Sequence, residues 1–408
     1  MDHHGIVTID DYEKHIGAEA VARIKSKARP LQQCRVVNVN STYYGGGVSM
    51  LLGSLTLLMN SLGIETGWRT IHGPPDFFSV TKKMHNALQS GDINWSPRKQ
   101  EIYEAVVYQN SILNHLTHDI VVVHDPQPLP LVTHYRKGGP WVWRCHIDLQ
   151  DPHRELWNYL AQFIEQYDAV IMSSKEYAQP LKTPQVFFMP AIDPFSIVND
   201  EMTEAQCEER LEHYGIPSDL PLVVQISRFD RWKDPQGVID AFNLARQEVP
   251  CRLVLLGNVA TDDPEGPQVY ESLLSQQTDE ILIMSQQDGA LVNALQRKAA
   301  VVLQKSLREG FGLTVTEAMW KSKPVIGGNT GGIRLQLMNH RTGFLVDTPE
   351  GAAMRIRYLL FNEEERLRMG ERAREFVREN FLITRHLREY LTLMVALHHK
   401  TVQGRIEL

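Results

Sequence analysis

Two glutamates separated by seven residues, Glu309 and Glu317, lie in the segment that is richest in chemically useful groups. Between them, Gly310 and Gly312 allow the backbone to approach a ligand closely. The residues after Gly312 are predicted to begin a helix, whose free N–H groups can hold a phosphate. One carboxylate could then accept hydrogen bonds from a sugar and the other from a ribose. The spacing alone is equally compatible with a tight turn that carries two solvated glutamates.

A pair of cations, Arg228 and Lys233, follows the first predicted strand in the second half of the chain. An arginine binds a diphosphate through its planar fork, and a lysine binds it as a point charge. Together they would stabilise the negative charge that develops when a bond to phosphate breaks. The alternative is a basic loop exposed to solvent.

Three consecutive glycines, Gly45, Gly46 and Gly47, follow the first predicted strand of the chain and precede a predicted helix. They permit backbone contact with a phosphate or a sugar. The segment is not G-x-G-x-x-G and contains no Walker lysine, so a flexible turn is an equally good interpretation.

Histidines and aspartates occur near the ends of two further predicted strands. Asp125 follows His124 in the run His-Asp-Pro-Gln-Pro, and His146 and Asp148 belong to the run Arg-Cys-His-Ile-Asp. Side chains alternate along a strand, so His146 and Asp148 would point to the same face. Each residue alone is more often structural than catalytic. Their shared place at strand ends predicts that they contribute to one site.

Short apolar runs alternate with amphipathic stretches along almost the whole chain. The predicted strands are residues 34–40, 64–71, 119–124, 141–147, 168–173, 185–189, 222–227, 252–257, 280–284, 299–304, 323–326 and 343–346. The predicted helices include 48–62, 153–166, 235–246, 290–298, 314–321 and 351–361, with a helical tail from 363 to 400. This alternation is typical of parallel sheets covered on both faces. We therefore predict an α/β protein with two doubly wound, Rossmann-like domains and C-terminal helices.

Four prolines between residues 190 and 221 mark the predicted junction of the domains. The predicted domains are residues 1–195 and 196–380, and the helix within residues 381–408 is expected to pack back on the first domain. Ligands of doubly wound sheets bind at the carboxyl ends of the strands, so we expect the site in a cleft that both domains face.

The bulk properties exclude several classes of partner. A net charge of −7 argues against nucleic acid as a partner. No signal-peptide pattern and no run of 18 apolar residues is visible, so we expect no membrane contact. The four cysteines form no C-x-x-C pair, which favours reduced thiols in a cytoplasmic protein and argues against a structural zinc site. Oligomeric state stays open, with a homodimer as one alternative.

Taken together, these segments resemble the retaining glycosyltransferases of the two-Rossmann-domain (GT-B) type, in the large family of sucrose- and glycogen-synthase-like enzymes. The E-x7-E signature of that family matches Glu309 and Glu317, and its Arg/Lys pair matches Arg228 and Lys233. The His-Asp-Pro-Gln-Pro and Arg-Cys-His-Ile-Asp runs are more specific and resemble the branch of trehalose glycosyltransferring synthases. The resemblance implies transfer of glucose from UDP-glucose or ADP-glucose to free glucose, with retention and without a metal or other cofactor.

The same resemblance implies a role for each matched residue. Catalytic roles fall on Glu309, His146, Arg228 and Lys233. Donor binding falls on Gly46, Gly47, Gly310, Phe311, Gly312, Leu313, Thr314 and Glu317, and acceptor binding on Asp125 and Asp148. In this assignment Glu309 lies at the donor glucose, Glu317 at the ribose and His146 near the reacting carbon.

Other functions remain as alternatives. Retaining trehalose phosphorylases share the fold and use inorganic phosphate, but they are expected to be longer. A nucleotide-sugar sensor without catalysis would keep the same binding residues. A dinucleotide-dependent dehydrogenase is disfavoured because the glycine fingerprint and its acidic partner are absent from the sequence.

Overall fold

The computed structural model describes residues 6–43, 47–257 and 266–399. These residues form two six-stranded sheets in which neighbouring strands are parallel. The strands are β1 (Arg35–Asn40), β2 (Glu65–Thr70), β3 (Ile120–His124), β4 (Trp141–Arg144), β5 (Ala169–Met172), β6 (Gln185–Phe187), β7 (Leu222–Ile226), β8 (Arg252–Gly257), β9 (Ile281–Ser285), β10 (Ala299–Gln304), β11 (Val325–Gly328) and β12 (Gly343–Val346). Each predicted strand is confirmed, with shifts of up to three residues at its ends.

Helices connect the strands and cover the sheets. They are α1 (Glu13–Ile16), α2 (Ala18–Ala28), α3 (Gly47–Ser61), α4 (Pro75–Leu88), α5 (Pro97–Leu113), α6 (Arg154–Ile164), α7 (Glu204–His213), α8 (Pro235–Ala245), α9 (Gly266–Leu274), α10 (Gly289–Lys298), α11 (Leu313–Trp320), α12 (Ile333–Gln336), α13 (Pro349–Phe361), α14 (Glu363–Asn380) and α15 (Ile383–His398). The predicted helices are confirmed, and the helical tail consists of α14 and α15.

Contacts divide the described residues into two compact units. The first contains the residues up to Pro190 together with those from Ile383 onward, where α15 packs against α2 and α3. The second runs from Ala191 to Leu382. Residues 191–195 belong to the second unit, in which the Ile192 amide donates to the Phe381 carbonyl at 2.9 Å.

In the first unit the strand order is β2-β1-β3-β4-β5-β6. The chain passes from β1 to β2 on one side and then returns to β3 on the other side of β1, so the winding reverses between β1 and β3. Val37, Val123 and Trp143 point into a core that also contains side chains of α4, α5 and α6. The opposite face carries Asn38 and His124, both buried. Because ligands of doubly wound sheets bind where the winding reverses, the carboxyl ends of β1 and β3 are the expected place for a site.

The second unit repeats this plan with the strand order β12-β11-β10-β7-β8-β9. Its winding reverses between β7 and β10. Val223, Leu255 and Val301 belong to its core, with side chains of α8 and α13 packed on the sheet. Both units are therefore doubly wound, Rossmann-like domains.

The strand predicted over residues 141–147 is shorter than expected, since β4 ends at Arg144. The His146 amide donates to the Asp125 carboxylate instead of to a neighbouring strand, and the Gln150 amide donates to the Asp148 carboxylate. His146 and Asp148 therefore lie in a loop, and the prediction that they alternate on a strand is wrong.

Within the part of the chain that the structure describes, no helix is both long enough and apolar enough to cross a membrane. Across the same residues, no three His, Cys, Asp or Glu side chains are grouped as a metal ion would require.

Candidate active site

The loops after β7 and β10 meet at the point where the winding of the second sheet reverses. Parallel neighbouring strands end at the same edge, so these two loops start side by side. The Leu307 amide donates to the Trp232 carbonyl at 2.8 Å, and the Gln225 side chain donates to the Lys233 carbonyl at 2.9 Å. The buried Lys305 ammonium also pairs with the carboxylate of Asp234. These bonds fix the predicted cationic loop against the loop that carries Glu309.

Lys233 and Glu309 form an ion pair in this edge, with 2.6 Å between Nζ and Oε2. The same carboxylate oxygen accepts hydrogen bonds from Ser306 Oγ at 3.2 Å and Gln304 Nε2 at 3.4 Å. Lys233 was predicted to bind a diphosphate and Glu309 to bind a sugar. The ion pair between them was not predicted. Arg228 lies half-buried in the same loop, 3.9 Å from the Asp230 carboxylate.

The glycine turn before α11 is shaped around Glu309. Gly312 has φ +84°, and an added Cβ would lie 3.0 Å from Glu309 Cγ, so a side chain here would be both strained and crowded. Gly312 is the N-cap of α11, and Leu313 and Thr314 are its first two residues. Their N–H groups have no acceptor within the helix and lie at its positive end, which suits an anion.

The loop itself is held by its backbone and by an aromatic contact. The Gly332 amide donates to the Glu309 carbonyl at 3.0 Å. Phe311, one residue after Gly310, is buried with its ring 5.8 Å from that of Phe381. The donor-binding residues predicted on this loop therefore occupy one ordered segment of the second unit.

Glu317 lies on α11 and is buried beside Lys321, which was not among the predicted site residues. Lys321, one turn further, donates to Asn199 Oδ1 and Gln296 Oε1 at 2.8 Å and to the Glu317 carbonyl at 3.1 Å. Burial raises the pKa of Glu317, and the positive charge of Lys321 counteracts this effect. Burial lowers the pKa of Lys321 to about 7, against the effect of Glu317. The four-residue spacing on a predicted helix was the available signal for this pair.

In the first unit, the predicted residues around β3 and β4 contact one another. Asp125 has φ +62°, an uncommon value for a residue other than glycine, and its Oδ1 accepts from the His146 amide at 2.8 Å. Trp143 Nε1 donates to the Asp125 carbonyl at 2.9 Å. Asp148 is buried, and its Oδ1 accepts from the Gln150 amide at 3.0 Å. Both aspartates thus hold the loop that carries His146.

His124 joins His146 to the sheet. Its Nδ1 lies 3.1 Å from His146 Nε2, and its Nε2 lies 3.0 Å from Asn38 Oδ1. Burial, assisted by Arg144, lowers the pKa of His124 to about 3. Burial also lowers the pKa of His146, with Arg144, His124 and His386 as further causes. Both rings are therefore neutral at ordinary pH.

The glycine run falls only partly within the described residues. Gly47 is the first residue of α3 and is half-buried. Gly46 lies outside the described residues, so its predicted role remains a prediction.

Two family models match the chain. A model described as trehalose synthase, N-terminal domain, covers residues 38–179, and one described as glycosyl transferases group 1 covers residues 207–376. The trehalose synthase of Thermococcus litoralis is 43% identical over 396 residues, covering 95% of this chain and 96% of that protein. The chain belongs to the trehalose synthase family. Membership of this family makes the chain a trehalose-related glycosyltransferase. The family resemblance predicted from the sequence motifs is confirmed.

The chain is also similar to two more distant proteins, a trehalose phosphorylase and a trehalose-phosphate synthase of known structure. The trehalose phosphorylase of Grifola frondosa is 27% identical over 89% of this chain, which spans 57% of that protein. The solved structure of an alpha,alpha-trehalose-phosphate synthase (UDP-forming) from Burkholderia xenovorans, in complex with glucose-6-phosphate, has a TM-score of 0.69 at 15% identity. That likeness covers 88% of this chain and 99% of the other. It shows a shared fold and confirms the predicted GT-B class.

Proposed function

We propose that the chain transfers glucose from a nucleoside-diphosphate glucose to free glucose, with retention, and so forms α,α-1,1-linked trehalose. The observation that carries this proposal is the edge between β7 and β10, where a cation, a carboxylate and the start of a helix meet. Lys233, Glu309 and the N-terminus of α11 supply the groups that a sugar diphosphate requires. Membership of the trehalose synthase family supports trehalose as the product.

The leaving diphosphate is held by charge and by backbone amides in this proposal. An ammonium has three donors, and the bond from Lys233 to Glu309 uses one of them. Lys233 and Arg228, with the N–H groups of Leu313 and Thr314, would stabilise the charge that accumulates on the diphosphate as it leaves. These groups are in place before the reaction, so little reorganisation is needed.

Each of the two carboxylates is proposed to bind a different sugar ring of the donor. Glu309 would accept hydrogen bonds from hydroxyls of the donor glucose, and the backbone amides of Gly310, Phe311 and Gly312 would lie beside it. Glu317 would accept hydrogen bonds from hydroxyls of the ribose. Burial raises the pKa of Glu317 and so disfavours the ionised form that such acceptance needs, and the positive charge of Lys321 offsets part of this effect.

The transfer step is a displacement at the anomeric carbon on one face of the sugar. The bond from this carbon to the diphosphate oxygen breaks, and the bond to the acceptor hydroxyl oxygen forms. The proton of that hydroxyl passes to the departing phosphate oxygen, so charge and atoms balance. His146, held by Asp125 and His124, would lie beside the reacting sugar, and Asp148 would contribute to acceptor binding.

Phosphorolysis is the second candidate, because a trehalose phosphorylase also resembles most of this chain. In that reaction inorganic phosphate would take the place of the nucleoside diphosphate at Lys233 and Arg228. The near-complete mutual coverage with the synthase of Thermococcus litoralis favours synthesis.

The test is an initial-rate measurement of nucleoside diphosphate release from UDP-glucose and ADP-glucose, with free glucose as acceptor. We expect release from at least one donor, dependent on glucose and accompanied by trehalose. Lys233→Met should lower turnover about 10²–10³-fold, since it removes a donor that stabilises developing charge. Arg231→Met is the matched control, because Arg231 is an exposed cation of the same turn, stacked on Trp232.

Two results would contradict the proposal. Glucose 1-phosphate formed from trehalose and inorganic phosphate, with no release from either nucleotide donor, would establish the phosphorylase. Tight binding of a nucleotide sugar without any turnover would indicate a sensor.

A further inference from the structure

Three side chains form a continuous hydrogen-bonded row across the carboxyl edge of the first sheet. Asn38 lies on β1, His124 ends β3, and His146 follows β4. The distances are 3.0 Å from Asn38 Oδ1 to His124 Nε2 and 3.1 Å from His124 Nδ1 to His146 Nε2. Asn38 and His124 are each 1% exposed, so water does not compete for these bonds. His146 is half-buried.

The row has a direction, because a neutral imidazole has one donor and one acceptor nitrogen. The Asn38 amide is oriented with Oδ1 towards the ring, and its buried Nδ2 has no hydrogen-bond partner among the described residues. In this orientation Oδ1 can only accept, so His124 carries its proton on Nε2. His124 Nδ1 is then the acceptor, and His146 must donate to it from Nε2. His146 Nδ1 is left with a lone pair, and within the described residues it makes no hydrogen bond. The tautomer of a histidine is commonly set in this way by the bond that its other nitrogen makes.

Burial is the main reason why both rings are neutral, and the positive charge of Arg144 on β4 adds to it. His386 on α15 also lies near His146, but burial lowers its pKa well below the usual value, so it is neutral as well. The Asp125 carboxylate is bonded to the His146 backbone amide, not to its ring. Burial acts in the same sense on both histidines.

We propose that Asn38 and His124 are positioning residues that fix His146 as the Nε2-protonated tautomer, with Nδ1 directed to accept a hydrogen bond from a sugar hydroxyl. The choice of a sugar hydroxyl rests on the function proposed above, whereas the tautomer follows from the orientation of the Asn38 amide in the row. A lone pair at Nδ1 attracts a hydroxyl and repels a phosphate or carboxylate oxygen. His146 therefore selects an uncharged, hydroxyl-bearing part of the substrate.

The tautomer is tested by NMR on the full chain labelled with [13C]histidine. The Cδ2 shift separates the Nε2-protonated from the Nδ1-protonated form, and the signals are assigned by their loss in His124→Gln and His146→Gln. We expect both residues in the Nε2-protonated form between pH 6 and 8. An Nδ1-protonated His146 would overturn the proposal, and this measurement requires no activity.

The use of Nδ1 is tested with Asn38→Asp. A carboxylate beside Nε2 raises the pKa of His124, and the imidazolium then donates from both nitrogens. His146 Nε2 must become an acceptor, so Nδ1 becomes protonated and can no longer receive the sugar hydroxyl. Turnover should fall about tenfold per pH unit below the raised pKa, with a matching change in the His146 Cδ2 shift.

Asn110→Asp is the matched control, because Asn110 is equally buried in the same unit but bonds to the backbone of His72 and Val106. It should give neither the acidic loss of turnover nor the shift change. If His146 has the expected tautomer but Asn38→Asp shows no acidic loss, the assignment of Nδ1 to a hydroxyl is wrong. If nucleotide donors give no trehalose at any pH while the tautomer is as expected, the proposed function fails and the row of residues stands.

Discussion

The ion pair between Lys233 and Glu309 gives the most demanding prediction for the second unit. The two side chains are 16% and 8% exposed, with 2.6 Å between the charged atoms. At an effective dielectric constant of about 20, two unit charges about 3 Å apart attract by about 5 kcal/mol, and desolvation offsets much of this. Removing one partner leaves the other charge buried, which typically costs about 3–5 kcal/mol.

We expect Lys233→Met to cost the lower end of that range, about 3 kcal/mol. Ser306 and Gln304 still donate to Glu309 in this variant, and Lys233 is the more exposed partner. Glu309→Gln should cost a similar amount, because it leaves the ammonium without its carboxylate. The double variant removes both charges and should cost less than the two single changes together, with a coupling of about 2–3 kcal/mol.

The assay is urea unfolding and thermal unfolding of all four members of this cycle, each followed by tryptophan fluorescence. For a unit of this size, about 3 kcal/mol corresponds to a fall in Tm of about 6–12 °C. Arg231→Met, in the same turn, should leave the unfolding midpoint almost unchanged. Strictly additive losses in the cycle, or a Lys233→Met variant as stable as the parent, would show that the ion pair does not stabilise this unit.

Three further predictions concern the residues around α11. Glu309→Gln should lower turnover strongly, and Glu317→Gln should weaken calorimetric binding of the nucleoside diphosphate without sugar; the reverse pattern would exchange their assignments. Burial lowers the pKa of Lys321 to about 7 in the folded chain. Between this pH and about 10, Lys321 therefore binds more protons in the unfolded chain than in the folded chain, so its contribution to the free energy of unfolding rises with pH. The rise in Tm between pH 7 and 9.5 should therefore be smaller in Lys321→Met, and equal slopes would contradict this. Gly312→Ala should destabilise the chain by about 1–2 kcal/mol in chemical unfolding and reduce turnover, because φ is positive and Glu309 is crowded; a neutral effect would show that the turn adapts.

The sheets were predictable because most of their strands are short runs rich in Val, Ile or Leu, although β2 (Glu65–Thr70) is an exception. Runs such as Ile120–His124 and Ala299–Gln304 are buried on both faces, and the pattern between helices identifies them without knowledge of tertiary contacts. The order of the strands was not visible, since it depends on which side of β1 or β7 the chain returns to. The two places where the winding reverses therefore became apparent only in the structure.

The contacts among the site residues were less predictable than their identities. Glu309 and Lys233 are 76 positions apart, and their bond depends on β7 lying beside β10. Asn38 and His124 are 86 positions apart and meet for the equivalent reason in the first sheet. His146 was wrongly predicted to lie on a strand. A short apolar run does not show that the His146 amide bonds to the Asp125 carboxylate instead of to a neighbouring strand.

The direct test of glucosyl transfer from a nucleotide donor to free glucose is one NMR measurement of the reaction product. The protein is incubated with UDP-glucose or ADP-glucose carrying 13C at the anomeric carbon, together with unlabelled free glucose. We expect the label in α,α-1,1-linked trehalose, with the α configuration retained and one nucleoside diphosphate released per disaccharide. Label that stays in the donor, or a product with the β configuration, would contradict this expectation.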